Sequence, residues 1–151
     1  MKPGNFGSVL EAFAASRRHL PFAWGANDCA TWPADLYVAA GMGDFLAGLR
    51  SYTTALGAAS VLQAAGYADL KSLADDRLAP VLDDDNDPNF AFAQTGDVAL
   101  LENAGHTGIY AYTFAVFRAD GRLMGPGERA MEVRPRFHPS LSPLVAAYRW
   151  G

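Results

Sequence analysis

The stretch PFAWGANDCATW, residues 21–32, holds the only cysteine of the chain, Cys29, directly after Asp28 and between Trp24 and Trp32. A thiol attacks as its thiolate, so the question is what surrounds the sulfur. A lone cysteine is more often a small buried apolar residue than a nucleophile. Here Asp28 has the chemistry of a helix cap, and a helix beginning near Cys29 would set the sulfur beside unpaired backbone N–H groups and the positive helix end. Those groups favour a thiolate and could also bind the oxyanion of an attacked carbonyl. A nucleophile of this kind needs a base, and the chain offers three histidines. His19, in SRRHLP, reads as a cation at a helix end, and His138, in FHPS, as a structural residue in a loop. His106 opens the apolar run HTGIY directly after the turn NAG, where an imidazole at a strand end can face a cleft.

The elements that must position these groups divide the chain into two textures. Residues Gly7 to Arg18 place Val9, Leu10, Phe13 and Ala14 on one side of a 3.6-residue period, which predicts a short helix. Further helices are predicted from about Cys29 to Ala40, stopped by Gly41 and Gly43, then over Gly57 to Gly66 and Ala68 to Leu78. Past Pro80 and the polar loop DDDNDPN come short runs with strand composition: Asp97 to Glu102, His106 to Tyr112, Phe114 to Arg118, Ala130 to Arg134 and Leu144 to Trp150. The Asp120–Gly121 pair predicts a tight hairpin turn. Helices followed by an antiparallel sheet make an α+β protein, read as one domain over residues 1–151.

PFAWGANDCATW, followed downstream by TGDVALLENAGHTGIY, resembles the NlpC-type cell-wall peptidases, which are papain-like cysteine hydrolases. The resemblance implies a papain-like NlpC-type fold, with N-terminal helices carrying the nucleophile at a helix start and an antiparallel sheet carrying the histidine. It implies Cys29 as nucleophile, His106 as general base, Asp28 as a residue that holds the free amino end of a peptide stem, and a peptidoglycan stem peptide as substrate. PFAW…DC and the Arg-x-Tyr segment LRSYTT look closer still to a branch found in phages and prophages near tail-tip genes. That likeness implies a virion location, or the bacterial cytoplasm before assembly, with other tail-tip proteins as partners.

Several features depart from the family pattern, among them Ala30 and Thr31, which follow Asp-Cys where relatives usually carry Ser-Gly. Phe22 stands where many relatives carry a tyrosine, and it has no hydroxyl to donate. Pro33 lacks the N–H that would bond the Cys29 carbonyl, which predicts a bend or a later helix start. The strand after the histidine offers no evident acceptor to orient the imidazole; Asp120, Glu128, a backbone carbonyl or a water remain open. These departures favour the alternative of a tail-tip or tail-assembly protein that keeps the fold with little turnover.

The rest of the sequence narrows the function by exclusion. A net charge of −4 and the lack of any Lys/Arg cluster with interleaved aromatics argue against nucleic acid. One cysteine precludes an internal disulfide and the cysteine clusters of structural zinc sites. Asp83, Asp85 and Asp87 mimic the opening of a calcium loop, but Pro88 and Gln94 occupy the positions that need glycine and glutamate, so no metal is expected. The glycine-bearing turns lack a phosphate-loop lysine, and no cofactor is expected. No apolar run reaches membrane-spanning length and the N-terminus lacks a signal-peptide pattern, so neither membrane insertion nor self-directed export is expected. Trp24 is assigned to the cleft, and Trp32 and Trp150 to the core.

Overall fold

A computed structural model describes residues 2–82, 84–88, 90–134 and 143–150. Its elements run α1 (Phe6–Arg17), α2 (Thr31–Ala39), α3 (Ala55–Ala64), α4 (Leu70–Arg77), β1 (Ala79–Pro80), β2 (Val98–Glu102), β3 (Tyr112–Phe117), β4 (Leu123–Pro126), β5 (Met131–Arg134) and β6 (Leu144–Arg149). Helices precede strands as the sequence predicts. His138 and Asp83 lie outside the described residues.

The helices form where their ends are satisfied locally. Thr54 caps α3 by accepting from the Gly57 N–H, and Asp69 and Ser72 form a reciprocal capping box at the head of α4. In α1, Phe6, Leu10 and Ala14 recur every four residues and are buried, with Val9 and Phe13 packed beside them. The second helix starts at Thr31 rather than near Cys29. The Asp28 carboxylate accepts from the N–H groups of Ala30 and Thr31 and holds a turn there, and Pro33 falls in the first helical turn, where its missing N–H costs little.

The strands make one antiparallel sheet in the order β1-β6-β2-β3-β4-β5. Side chains alternate across it. Val98, Leu100, Phe114, Val116 and Tyr148 face the core shared with the helices, while Ala99, Leu101, Ala115, Phe117 and Ala147 form a second cluster on the other face, under Phe90 and Ala93. Both faces of β2 are therefore covered, which makes it the spine of the sheet. Asp97, fully buried just before it, accepts from the Gln94 N–H at 2.7 Å and from Arg149 at 2.8 and 3.0 Å, and Lys2 reaches it as well. The buried carboxylate thus ties the N-terminus and the last strand to the start of β2. Among the described residues no helix is long and apolar enough to cross a membrane.

Two strand expectations change. The runs at 106–112 and 114–118 become one strand, β3, preceded by a 3-10 turn at Gly108–Tyr110. Gly105 and Gly108 take left-handed backbone, φ +82° and +63°, which an extended strand cannot contain. The side chain of Asn103 then closes the loop by donating to the Tyr110 carbonyl and the Thr113 hydroxyl, both at 2.9 Å. The Asp120–Gly121 turn does join a hairpin, with Phe117 opposite Leu123, but its second arm is β4, which the sequence reads as a glycine-bearing turn.

Candidate active site

The segment around Cys29 is a closed loop before it is a site. Ala23 and Asn27 exchange backbone hydrogen bonds at 3.1 and 2.8 Å, and Gly25 between them turns the chain at φ +82°. Only glycine fits there for a second reason: a Cβ would come 2.0 Å from the carbonyl oxygen of Tyr52. Buried Asn27 donates to the Pro21 carbonyl at 3.0 Å, fixing the entry to the loop.

Asp28 organises the exit. Its Oδ2 accepts from the Gly25 N–H at 2.9 Å and from the Tyr52 hydroxyl at 2.7 Å, and its Oδ1 accepts from Ala30 and Thr31 at 2.9 and 2.8 Å. Those four donors use the acceptor sites of a carboxylate, and the residue is 1% exposed. The Asp28 carboxylate is thus held by donors of the chain itself, from the loop and from Tyr52.

Cys29 follows directly and is partly exposed, at the edge of the core rather than inside it. It borders a cavity of about 30 Å³, together with Trp24, Asp28 and Tyr52. That is room for a water-sized group and not for a peptide, so a substrate would lie across the mouth. Trp24 meets Phe22 edge-on at 4.9 Å and Tyr110 edge-on at 6.4 Å, giving the mouth an aromatic rim.

The His106 loop meets this rim from the sheet side. Ile109 lines the Cys29 cavity, and Tyr110 touches Trp24. His106 is exposed and lines an adjoining depression with Asn103, Ala104 and Tyr110, not the cavity itself. The structure thus gathers Cys29, Asp28 and Trp24 around one cavity and sets His106 beside it across Tyr110. Of the acceptors left open for orienting an imidazole, Asp120 is bound in its own turn by the backbone and guanidinium of Arg122, whose hydrogen bond holds the carboxyl below its usual range. Glu128 has an exposed side chain, while its carbonyl, with that of Gly127, accepts from the Phe22 N–H.

One residue at the cavity carries no role in the sequence reading. Tyr52 belongs to LRSYTT, singled out only for its Arg-x-Tyr pattern. Burial first, and then the charges of Asp28 and Cys29, push its hydroxyl well above the ordinary phenol range, so it stays a proton donor. Arg50, two residues earlier, pairs with Asp35 of α2 at 2.9 Å and with Asp44 at 2.8 Å. The Arg-x-Tyr segment is therefore a strap fastened to α2 at one point and to the Cys29 loop at another. A partner 24 residues away leaves no local signal by which the sequence could have found it.

A family described as a domain of unknown function, DUF6950, matches residues 1–136. No curated protein matches the sequence. Among solved structures, a protein of Staphylococcus aureus described as similar to lipoprotein, NLP/P60 family, superposes with a TM-score of 0.58 at 15% identity, over 98% of this chain and 42% of its own. This chain thus spans about two-fifths of that protein's length. RipD of Mycobacterium tuberculosis, described as a non-catalytic NlpC/p60 domain protein adapted to peptidoglycan binding, superposes with a TM-score of 0.45 at 18% identity, over 95% of this chain and 96% of its own. The staphylococcal likeness shows the fold: an antiparallel sheet with helices, similar to NlpC/P60 domains.

Proposed function

The chain belongs to the DUF6950 family, and we propose that it acts as a single-domain thiol hydrolase cleaving an amide bond in peptidoglycan stem peptides. The observation that carries this reading is a partly exposed Cys29 held just before a helix start, at the mouth of an aromatic-rimmed cavity, on a fold similar to NlpC/P60 domains. In the proposed reaction the Cys29 thiolate attacks the amide carbonyl, forming a thioester after the C–N bond breaks. His106 takes the thiol proton and returns it to the leaving amine; water then attacks the thioester and restores the thiol. This role requires the exposed imidazole to reach across Tyr110 once substrate fills the mouth, a tightening of the kind catalytic groups undergo on binding. Trp24 would pack against the peptide at the rim. The proposal extends to a phage tail as the place of action, with other tail-tip proteins as partners, on the likeness of PFAW…DC and LRSYTT to that branch.

The test is release of stem-peptide fragments from purified peptidoglycan, followed by mass spectrometry. Cys29→Ala should lower the rate about 1,000-fold or more. A Cys29→Ala protein as fast as the parent would overturn the proposal. Purified virions containing the chain among their tail proteins would support the location, and virions lacking it would remove that part.

A second reading, a tail-tip or tail-assembly protein with little or no turnover, is favoured by one observation: His106 lines a depression separate from the Cys29 cavity. It predicts that the parent protein releases no fragments while sedimenting with assembled tails.

A further inference from the structure

The proposed reaction leaves Tyr52 without a part, yet its hydroxyl and its backbone are both tied to the Cys29 loop. Its hydroxyl donates to Oδ2 of Asp28 at 2.7 Å, and its side chain lines the cavity that Cys29 borders. Its backbone is seated against Gly25, and the strap that carries it is fastened by Arg50 to Asp35 and Asp44. The hydroxyl is therefore held on the carboxylate of Asp28, at the cavity that the next residue, Cys29, also lines.

That placement matters because Asp28 is an awkward neighbour for a nucleophilic thiol. A carboxylate beside a sulfur opposes formation of a second negative charge. Three of the donors that offset it are backbone N–H groups of the turn itself, and the fourth, from Tyr52, is the one a substitution can remove without altering the turn. We infer that Tyr52 is a positioning residue for Cys29: by donating its proton to Asp28 it offsets the carboxylate and lets the neighbouring thiol ionise at lower pH than an unshielded aspartate would permit.

Other charged groups near the cavity belong to neighbouring elements. Arg50 acts on Tyr52 from the connector; Asp35 of α2 is paired with Arg50 and with Arg17 of α1; His106 lies in the adjoining depression. The remaining walls of the cavity are apolar, from Leu46 and Leu49 of the connector, Ala58 and Leu62 of α3, Leu70 of α4 and Ile109. Nothing apolar can take over the shielding that the Tyr52 hydroxyl provides.

The inference rests on the proposed function only for its consequence in turnover, since the thiol can be titrated without any substrate. The experiment is the rate of Cys29 alkylation by iodoacetamide on the full chain from about pH 5 to about pH 10, where thiolate is the reacting species. Tyr52→Phe should move the midpoint up by about one pH unit and leave the high-pH plateau at the parent's value. Asp28→Asn, which removes the charge, should move it in the opposite direction. A merely structural role for Tyr52 would leave the Tyr52→Phe midpoint at the parent's value or change only the plateau, and either result overturns the inference. Should Tyr52→Phe fail to fold, Tyr52→Leu, which also lacks the hydroxyl, takes its place in the same titration: a raised midpoint supports the inference, and an unchanged or lowered one overturns it. The two failures are distinguishable, because Cys29-independent release of peptidoglycan fragments removes the proposed function and leaves the alkylation profiles standing.

Discussion

Gly25 and Gly105 share the same left-handed backbone, φ +82°, and stand four and one residues before Cys29 and His106 respectively. A Cβ added at Gly25 would come 2.0 Å from the Tyr52 carbonyl, whereas nothing lies within 4 Å of one added at Gly105. The two loops of the candidate site are therefore built differently. The Cys29 loop is wedged between the helices and the Arg50–Tyr52 strap, and its shape is set by packing. The His106 loop is closed from within, by Asn103 and by the 3-10 turn; Ile109 of that turn packs against the core, while His106 itself stays exposed. Under the proposed function, the thiol sits in surroundings fixed by packing, and the exposed histidine must be brought to it.

The largest effect should come from the carboxylate at the centre of the packed loop. Asp28→Ala strands four donors at once, in a position 1% exposed. Each unpaired buried donor costs about 1 to 3 kcal/mol, part of which water would recover, so a loss of about 4 kcal/mol in urea unfolding is expected. A loss below about 1 kcal/mol would mean that the loop is not held by this residue.

The two glycines supply the next comparison. Gly25→Ala combines an unfavourable left-handed alanine with a backbone clash, together about 3 kcal/mol, and should also disturb the alkylation of Cys29 through Tyr52. Gly105→Ala meets no neighbour and should cost only the conformational term, about 1 kcal/mol. Equal losses for the two variants in the same urea titration would break the contrast drawn between the loops.

The same contrast governs what could be read from sequence. Asp28 is legible as a local acceptor, though it holds the turn before the helix rather than capping it, because its backbone donors, Gly25, Ala30 and Thr31, lie within three residues of it, and such short-range hydrogen bonding leaves a pattern in the chain. Its fourth donor, Tyr52, comes from the far side of a helix and a connector, and no pattern announces it. HTGIY misleads in the other direction: threonine, isoleucine and tyrosine carry strand propensity, but the glycines at 105 and 108 and the side chain of Asn103 decide for a turn. β4 goes unread because Gly125 and Pro126 belong to its four residues, and only pairing with β3 on one side and β5 on the other makes a strand of them. The order of helices and sheet needed no such long-range information, since it follows from a change of composition past Pro80.

His106→Ala offers the smallest expected change in stability and the sharpest use of the comparison. The side chain is exposed, and the hydrogen bonds that close its loop run through Asn103 and the backbone, among them the His106 N–H to the Asn103 carbonyl at 3.1 Å, which alanine keeps. Unfolding free energy should stay within about 0.5 kcal/mol of the parent. Because the fold is indifferent to this imidazole, any fall in fragment release by His106→Ala reports chemistry alone, which is not true of a change at Asp28 or Gly25. A stability loss matching that of Gly25→Ala would show instead that the imidazole is packed as tightly as the loop it faces.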